Sequence, residues 1–443
     1  MQEHVERKRF STFQLISLGF SAVVLLGSLL LMLPVSSREG VVTPFLDALF
    51  TSTSAVCVTG LVVHDTATYW SSFGQAVILL LIQIGGMGVV TLMTSFSLML
   101  GRKISLKQRT TLQDAISAPQ MGGIIRLTHF ILKGMFLIEG LGAVIMAPIF
   151  IRDFGSRGIW MAIFHSISAF CNAGFDLLGV RGEFSSLTMY RDNPVINLTI
   201  ALLIIIGGIG FLTWHDIRTH GTHFSQYRTQ SKVILLMTGI LLLLPLLYFF
   251  FIEFNTLPSG SRFLASFFQA VTPRTAGFNT VDLTRMSEGG RSILTALMLI
   301  GGAPGSTAGG LKVTTLAVLF VVAAGTFRRE DLPHLFRRRL ESGVIRQATT
   351  IFLMYLSLFF IGGLTISTIE HLPILTSLFE TASALGTVGL TLGITPSLGV
   401  VSHIILICLM FLGRVGGLTL IFAAVAGRRK DGSRYPSDHI TVG

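Results

Sequence analysis

Four short segments of this chain share one pattern. A phenylalanine is followed ten residues later by a glycine and then at once by a large apolar residue. The sets are Phe50, Gly60, Leu61; Phe164, Gly174, Phe175; Phe267, Gly277, Phe278; and Phe379, Gly389, Leu390. The glycines recur about every 110 residues, so one structural unit is used four times. Each segment lies between two long apolar runs, roughly 13–33, 75–100, 127–151, 195–213, 233–254, 293–324, 347–369 and 400–426. About 20 apolar residues suffice to cross a bilayer. The pattern predicts an all-α polytopic membrane protein with eight transmembrane spans. Four span–pore helix–span repeats, with four re-entrant pore helices, would surround a pseudo-fourfold pore. The expected divisions are 1–110, 111–225, 226–335 and 336–427 for the repeats, and 428–443 for a cytoplasmic tail.

Composition supports lipid as the solvent. Of 443 residues, 12% are charged and 51% hydrophobic, against about 25% charged in ordinary soluble domains. The net charge of +11 could suggest nucleic acid, but 21 of the 33 Lys and Arg lie in 1–10, 101–126, 214–232, 325–346 and 427–443. These alternate segments are therefore cytoplasmic, both termini are inside, and no nucleic-acid partner is expected. The run Arg328, Arg329, Arg337, Arg338 and Arg339 could also dock a partner or lipid headgroups. The three cysteines form no C-x-x-C pair, which excludes a disulfide scaffold and a zinc site of that kind. His215, His220 and His223 have no convincing metal spacing. No Ser/His or paired-carboxylate set falls at membrane depth, so no enzyme is expected.

The short segments suit helices too short to span. Irregular backbone at membrane depth survives only where it is buried or lines a water-filled path. Four such turns around one axis would form a ring of backbone carbonyls, able to replace the hydration shell of a monovalent cation. The C-terminal helix ends would add partial negative charge there. The candidate cation-binding turns are Val58, Thr59 and Gly60; Asn172, Ala173 and Gly174; Thr275, Ala276 and Gly277; and Thr387, Val388 and Gly389. The glycines are required where a side chain would penalise the backbone conformation.

A second aligned signal follows in each repeat: Gly85-Gly86-Met87-Gly88, Gly207-Gly208-Ile209-Gly210, Gly301-Gly302-Ala303-Pro304 and Gly413-Arg414-Val415-Gly416. The second lies further from its filter glycine because of an insertion around 181–193. Close helix packing accounts for the first two. The stretch 301–312 cannot continue as a straight helix, because it holds Pro304 and Gly301, Gly302, Gly305, Gly309 and Gly310. With Ser306, Thr307 and Lys312 it predicts a broken helix and a flexible loop beneath the ring, a candidate gate. It is no Walker A loop, since Lys312 follows Leu311 and precedes Val313. Arg414 in a span should face a cavity or a partner. It either sets a positive barrier under the ring or pairs with helix-end carbonyls or an acid. Lys133 can snorkel, Glu139 suits a structural pairing, and Glu380 could brace Arg274.

The repeats, the phrases TSTSAVCVTGL (51–61) and TPRTAGFNT (272–280), and the loop GGAPGSTAGGLK (301–312) resemble the Trk/Ktr/HKT potassium-transporter superfamily, most of all its bacterial Ktr membrane subunits. The resemblance covers nearly the whole chain. It implies gated potassium uptake, often with a dependence on sodium, through one pore per subunit. It also implies a multi-pass homodimer in the bacterial inner membrane, and a KtrA-like octameric cytoplasmic ring whose nucleotides control the loop. The resemblance places the potassium sites at Gly60, Gly174, Gly277 and Gly389, the gate at 301–312 and the pore arginine at Arg414. Glycine in the first turn is the potassium-favouring form; sodium-selective plant relatives carry serine there. Thr59, Ala173, Ala276 and Val388 break the fourfold pattern, so fewer ordered carbonyl layers are expected than in a symmetric tetramer. No strand followed by G-x-G-x-x-G appears, so no nucleotide should bind this chain itself. The segments 101–126, 214–232 and 325–346 are the surface open to a partner, and the tail could instead lie at a subunit interface. The alternative is a secondary active potassium/sodium or proton symporter working by alternating access, against which the parallel sense of the four repeats argues.

Overall fold

The computed structural model describes residues 12–88, 113, 123–329 and 333–416. The expected boundary at 110–111, the tail at 428–443 and most of segment 101–126 lie outside them. The described residues hold fourteen α-helices: α1 (Thr12–Met32), α2 (Phe45–Cys57), α3 (Ser72–Met87), α4 (Ile124–Phe154), α5 (Arg157–Phe170), α6 (Pro194–Gly208), α7 (Phe211–His220), α8 (Thr229–Tyr248), α9 (Ser259–Val271), α10 (Glu288–Leu299), α11 (Val313–Phe327), α12 (Ser342–Glu370), α13 (Ile374–Gly386) and α14 (Val400–Val415).

Among the described residues, four helical stretches are long and apolar enough to cross a membrane: α1, α4, α8 with its π-helical extension to Glu253, and α12. Their outer faces carry exposed apolar side chains such as Leu26, Leu137, Leu244 and Ile361. Each is followed by a short helix of 13 or 14 residues, α2, α5, α9 or α13. Pro44, Pro258 and Pro373 stand just before three of these and start them cleanly. Three of the helices that come next have side-chain N-caps, with Ser71, Asn193 and Ser287 accepting from Gly74, Ile196 and Gly290.

The runs 75–100 and 400–426 lie within the described residues only as far as 88 and 416, and 195–213 is bent rather than straight. α3 and α14 end one residue before Gly88 and Gly416, and α6 two residues before Gly210. These glycines take φ of 80–88°, which a right-handed helix cannot accommodate. After Gly210 the chain resumes as α7 at a 96° bend. The third repeat is interrupted too, between α10 and α11, as its glycines and Pro304 predict. Each helix after a short helix packs on the next repeat's short helix: α3 on α5, α6 on α9, α10 on α13, and α14 back on α2. That cyclic order closes the fourfold arrangement. Gly85, Gly207 and Gly413 let it close tightly, since a Cβ on each would overlap the backbone oxygen of Val56, Phe170 or Leu385 at the end of the short helix of its own repeat.

Candidate ion-conduction site

The short helices end in the four candidate turns, and three of the turns are wired alike. Val58, Asn172 and Thr387 adopt the left-handed conformation, with φ of 58°, 59° and 52°. The next N–H in each reaches five residues back: Thr59 to Ser54 O (2.8 Å), Ala173 to Ser168 O (2.7 Å) and Val388 to Ser383 O (2.8 Å). This helix ending normally takes glycine. With Val and Thr it carries a cost of roughly 1–3 kcal/mol, of the kind that collects at working sites. In the third turn Thr275 is likewise left-handed at 68°, and Ala276 N donates to Thr272 O (3.0 Å).

Two residues on, Gly60, Gly174, Gly277 and Gly389 take φ of 71–94°. Their Cα atoms also meet the neighbouring turn. A Cβ at Gly60 would lie 2.5 Å from Ala173 O, at Gly174 2.7 Å from Ala276 O, and at Gly277 2.5 Å from Val388 O; one at Gly389 would strike Thr59 O. The four turns thus form a closed ring in chain order, with four main-chain oxygens in it and no room for side chains. The residues that follow, Leu61, Phe175, Phe278 and Leu390, are buried and anchor the ring.

Sequence reasoning missed the hydroxyls that brace this ring. Ser54 Oγ accepts from Gly60 N and Ser383 Oγ from Gly389 N, each at 3.0 Å. Ser168 Oγ donates to Phe175 O (2.7 Å), and Thr272 to Phe278 O. The available signal was a Ser or Thr five or six residues before every glycine.

The segment 300–312 closes on itself through Gly301 N to Leu311 O (2.7 Å) and Val313 N to Gly302 O (3.1 Å). It lies against the ring and the helices below it. Thr307 Oγ1 donates to Phe170 O (3.1 Å) and Asn172 Oδ1 (3.3 Å). Gly309 abuts Thr387, where any side chain would overlap Oγ1. Gly310 N donates to Gly413 O (3.2 Å), Ala303 N to Gly208 O (2.9 Å) and Phe211 N to Gly305 O (2.8 Å). Ser306 Oγ donates to Ala303 O (2.7 Å), and Gly302 presses on Ala308. Asn172 ties this loop to the third turn, its amide donating to Arg274 O (3.0 Å) and Thr275 Oγ1 (3.2 Å).

Two cations hold the loop by its carbonyls. Lys312 Nζ donates to Ala308 O (2.7 Å) and Gly309 O (3.3 Å). Arg414 donates to Thr307 O, to Gly85 O and, at 3.4 Å, to Gly86 O. Gly85 and Gly86 lie in the last turn of α3, where carbonyls lose their regular i+4 partners; Gly85 O also accepts from Gly88 N (3.1 Å). Arg414 therefore pairs with helix-end carbonyls and touches the candidate gate at once.

Elsewhere Glu139 accepts from Gln83 at 3.1 Å, a structural pairing. The expected Glu380–Arg274 brace is corrected. Glu380 accepts from Thr391 and Thr395 of its own repeat, whereas Arg274 donates to Thr238 in α8 (3.1 Å). The described residues contain no group of three or more metal-ligating side chains, His215, His220 and His223 included.

A family model described as TrkH, cation transport protein, matches residues 3–431. The chain belongs to the TrkH family. It is a multi-pass membrane transport protein rather than an enzyme. This TrkH-family chain is 41% identical over 449 residues to the potassium/sodium uptake protein NtpJ of Enterococcus hirae, covering 99% of this chain and 98% of that one. It is 38% identical over 442 residues to the Ktr system potassium uptake protein B of Bacillus subtilis, covering 98% and 97%. The fold is shared with the potassium transporter TrkH from Vibrio parahaemolyticus, at a TM-score of 0.74 and 20% identity, over 95% of this chain and 86% of that one.

Proposed function

We propose that this protein takes up potassium through a single gated pore, with the four-turn ring as its selectivity filter. The observation that carries this reading is the closed ring of Gly60, Gly174, Gly277 and Gly389 with a glycine-rich loop pinned against it. The potassium uptake names of the Enterococcus hirae and Bacillus subtilis relatives support the choice of ion. α2, α5, α9 and α13 act as re-entrant pore helices. The four long helices and the four broken ones make eight spans, with both termini in the cytoplasm of a bacterial cell. The loop 301–312 is the gate, held shut by Arg414 and Lys312.

Two copies form a homodimer on a nucleotide-binding regulatory ring, and sodium stimulates transport. A docking face is available where exposed Phe327 and Phe336 flank the basic hairpin Arg337–Arg339. The test is uptake of potassium or rubidium by liposomes holding the purified protein, beside Gly60→Ser. The added side chain meets Ala173 O, so potassium-over-sodium discrimination should fall. Discrimination that ignores the substitution would make the ring scaffolding.

A further inference from the structure

Only the second repeat carries extra residues between its ring glycine and the next helix. We propose that this segment, 178–193, is a brace along the outer rim of the ring, and that Asp65 and Ser186 are positioning residues for ion selectivity. The proposal rests on reading the ring as the filter.

The segment is fixed to its own repeat at both ends. Leu178 N donates to Asp176 Oδ1 (2.9 Å), and the Asn197 amide donates to Tyr190 O, Arg191 O and Asn193 O at 2.6, 3.2 and 2.8 Å. Between these anchors it reaches both neighbours. Toward the first repeat, Phe184 N donates to Asp65 Oδ2 (2.9 Å). Asp65 sits hard against Gly179, where any side chain would overlap its carboxylate, and its other oxygen accepts from Ala67 N and Thr68 N. Toward the third repeat, Leu187 N donates to Asn279 O (3.0 Å) and Ser186 Oγ accepts from Asn279 N (3.2 Å). Asp65 lies five residues past Gly60, and Asn279 two past Gly277. Turns 1, 2 and 3, consecutive in the ring, are thus joined by one arc.

Phe184 and Ser186 both hold positive φ, 58° and 47°, a conformation that persists only where surrounding bonds impose it. Asp65 and Ser186 are buried. The flank of the segment toward the third repeat is an open polar recess of about 780 Å³, bordered by Ser185, Thr188 and Asp282. Leu187 is fully buried, so the tie to Asn279 joins its two hydrogen bonds to apolar packing. A carbonyl ring favours potassium only while the number and spacing of its oxygens are held for the larger ion. A loosened arc lets turns 1 and 3 close on sodium.

The test uses the full chain in liposomes, with rubidium uptake competed by potassium or sodium. Ser186→Ala removes one hydroxyl, and Asp65→Asn weakens the other anchor. Each should retain potassium flux while discrimination falls about fivefold, the worth of one hydrogen bond. Parent-like discrimination in both, where Gly60→Ser loses it, overturns the brace and leaves the filter standing. Discrimination unmoved in all three overturns both readings. Flux and discrimination lost together in Ser186→Ala would make the segment a folding element only.

Discussion

Arg414→Ala should raise transport in the absence of any regulatory partner. The guanidinium joins the loop at Thr307 O to the end of α3 at Gly85 O and Gly86 O. When the loop moves aside, the α3 carbonyls keep their arginine, so the interaction lost on opening is the one to Thr307. A hydrogen bond from a charged donor is worth about 1.5–3 kcal/mol net, so the arginine lowers the open fraction about 10- to 100-fold. Thr307, Gly310 and Lys312 keep their own bonds in the variant, which limits the gain. We expect rubidium flux into liposomes to rise about tenfold or more until the loop ceases to limit it. Arg414→Lys keeps the charge but offers a single ammonium on a flexible stem, which cannot bridge loop and helix as the planar fork does. It should give intermediate flux. Full restoration by lysine would assign the effect to charge alone. Unchanged or lower flux in Arg414→Ala, in protein with parent-like thermal unfolding, would refute the latch.

Thr307→Val removes a hydroxyl whose one proton is shared between Phe170 O and Asn172 Oδ1, worth about 1 kcal/mol; flux should rise severalfold, and a fall would count against the loop as gate. Ser54→Ala and Ser383→Ala leave the buried N–H of Gly60 or Gly389 without its acceptor, costing about 1–3 kcal/mol. The unfolding midpoint and potassium-over-sodium discrimination should then drop together. Asp176 lies in the outer segment just past the second turn, where burial, with Asp65 nearby, pushes its carboxyl up to about 7. The folded state then holds a proton that the unfolded chain releases, so this group's stabilising effect is full below the ordinary carboxylate value and fades as pH rises to about 7. Thermal midpoints followed across that range should show the decline, and Asp176→Asn should flatten it.

The parts of this molecule that the sequence announces are those that repeat or break a helix. Phe50 and Gly60 recur at one offset in four places because one turn must be built four times, and Pro304 with its glycines marks a loop because no helix tolerates that composition. What was not legible depends on which atoms meet, whether the partner lies six residues on or in another repeat. Ser54 and Ser383 read as ordinary residues of small polar helices until the N–H they serve is located. Gly88 and Gly210 read as packing glycines, which Gly85 and Gly207 are, yet the last glycine of each of these tetrapeptides stands at its helix end, as Gly416 does in the fourth. Arg274 and Glu380 fit as an ion pair by charge alone, but each faces hydroxyls in its own repeat, and charge complementarity carries no direction. Arg414 shows why the two readings of a lone membrane arginine need not exclude each other. The carbonyls that satisfy it at the end of α3 exist because that helix stops at Gly88, and the same break leaves the guanidinium within reach of Thr307. The helix break that sequence reasoning passed over is therefore what turns a structural cap into a latch on the loop.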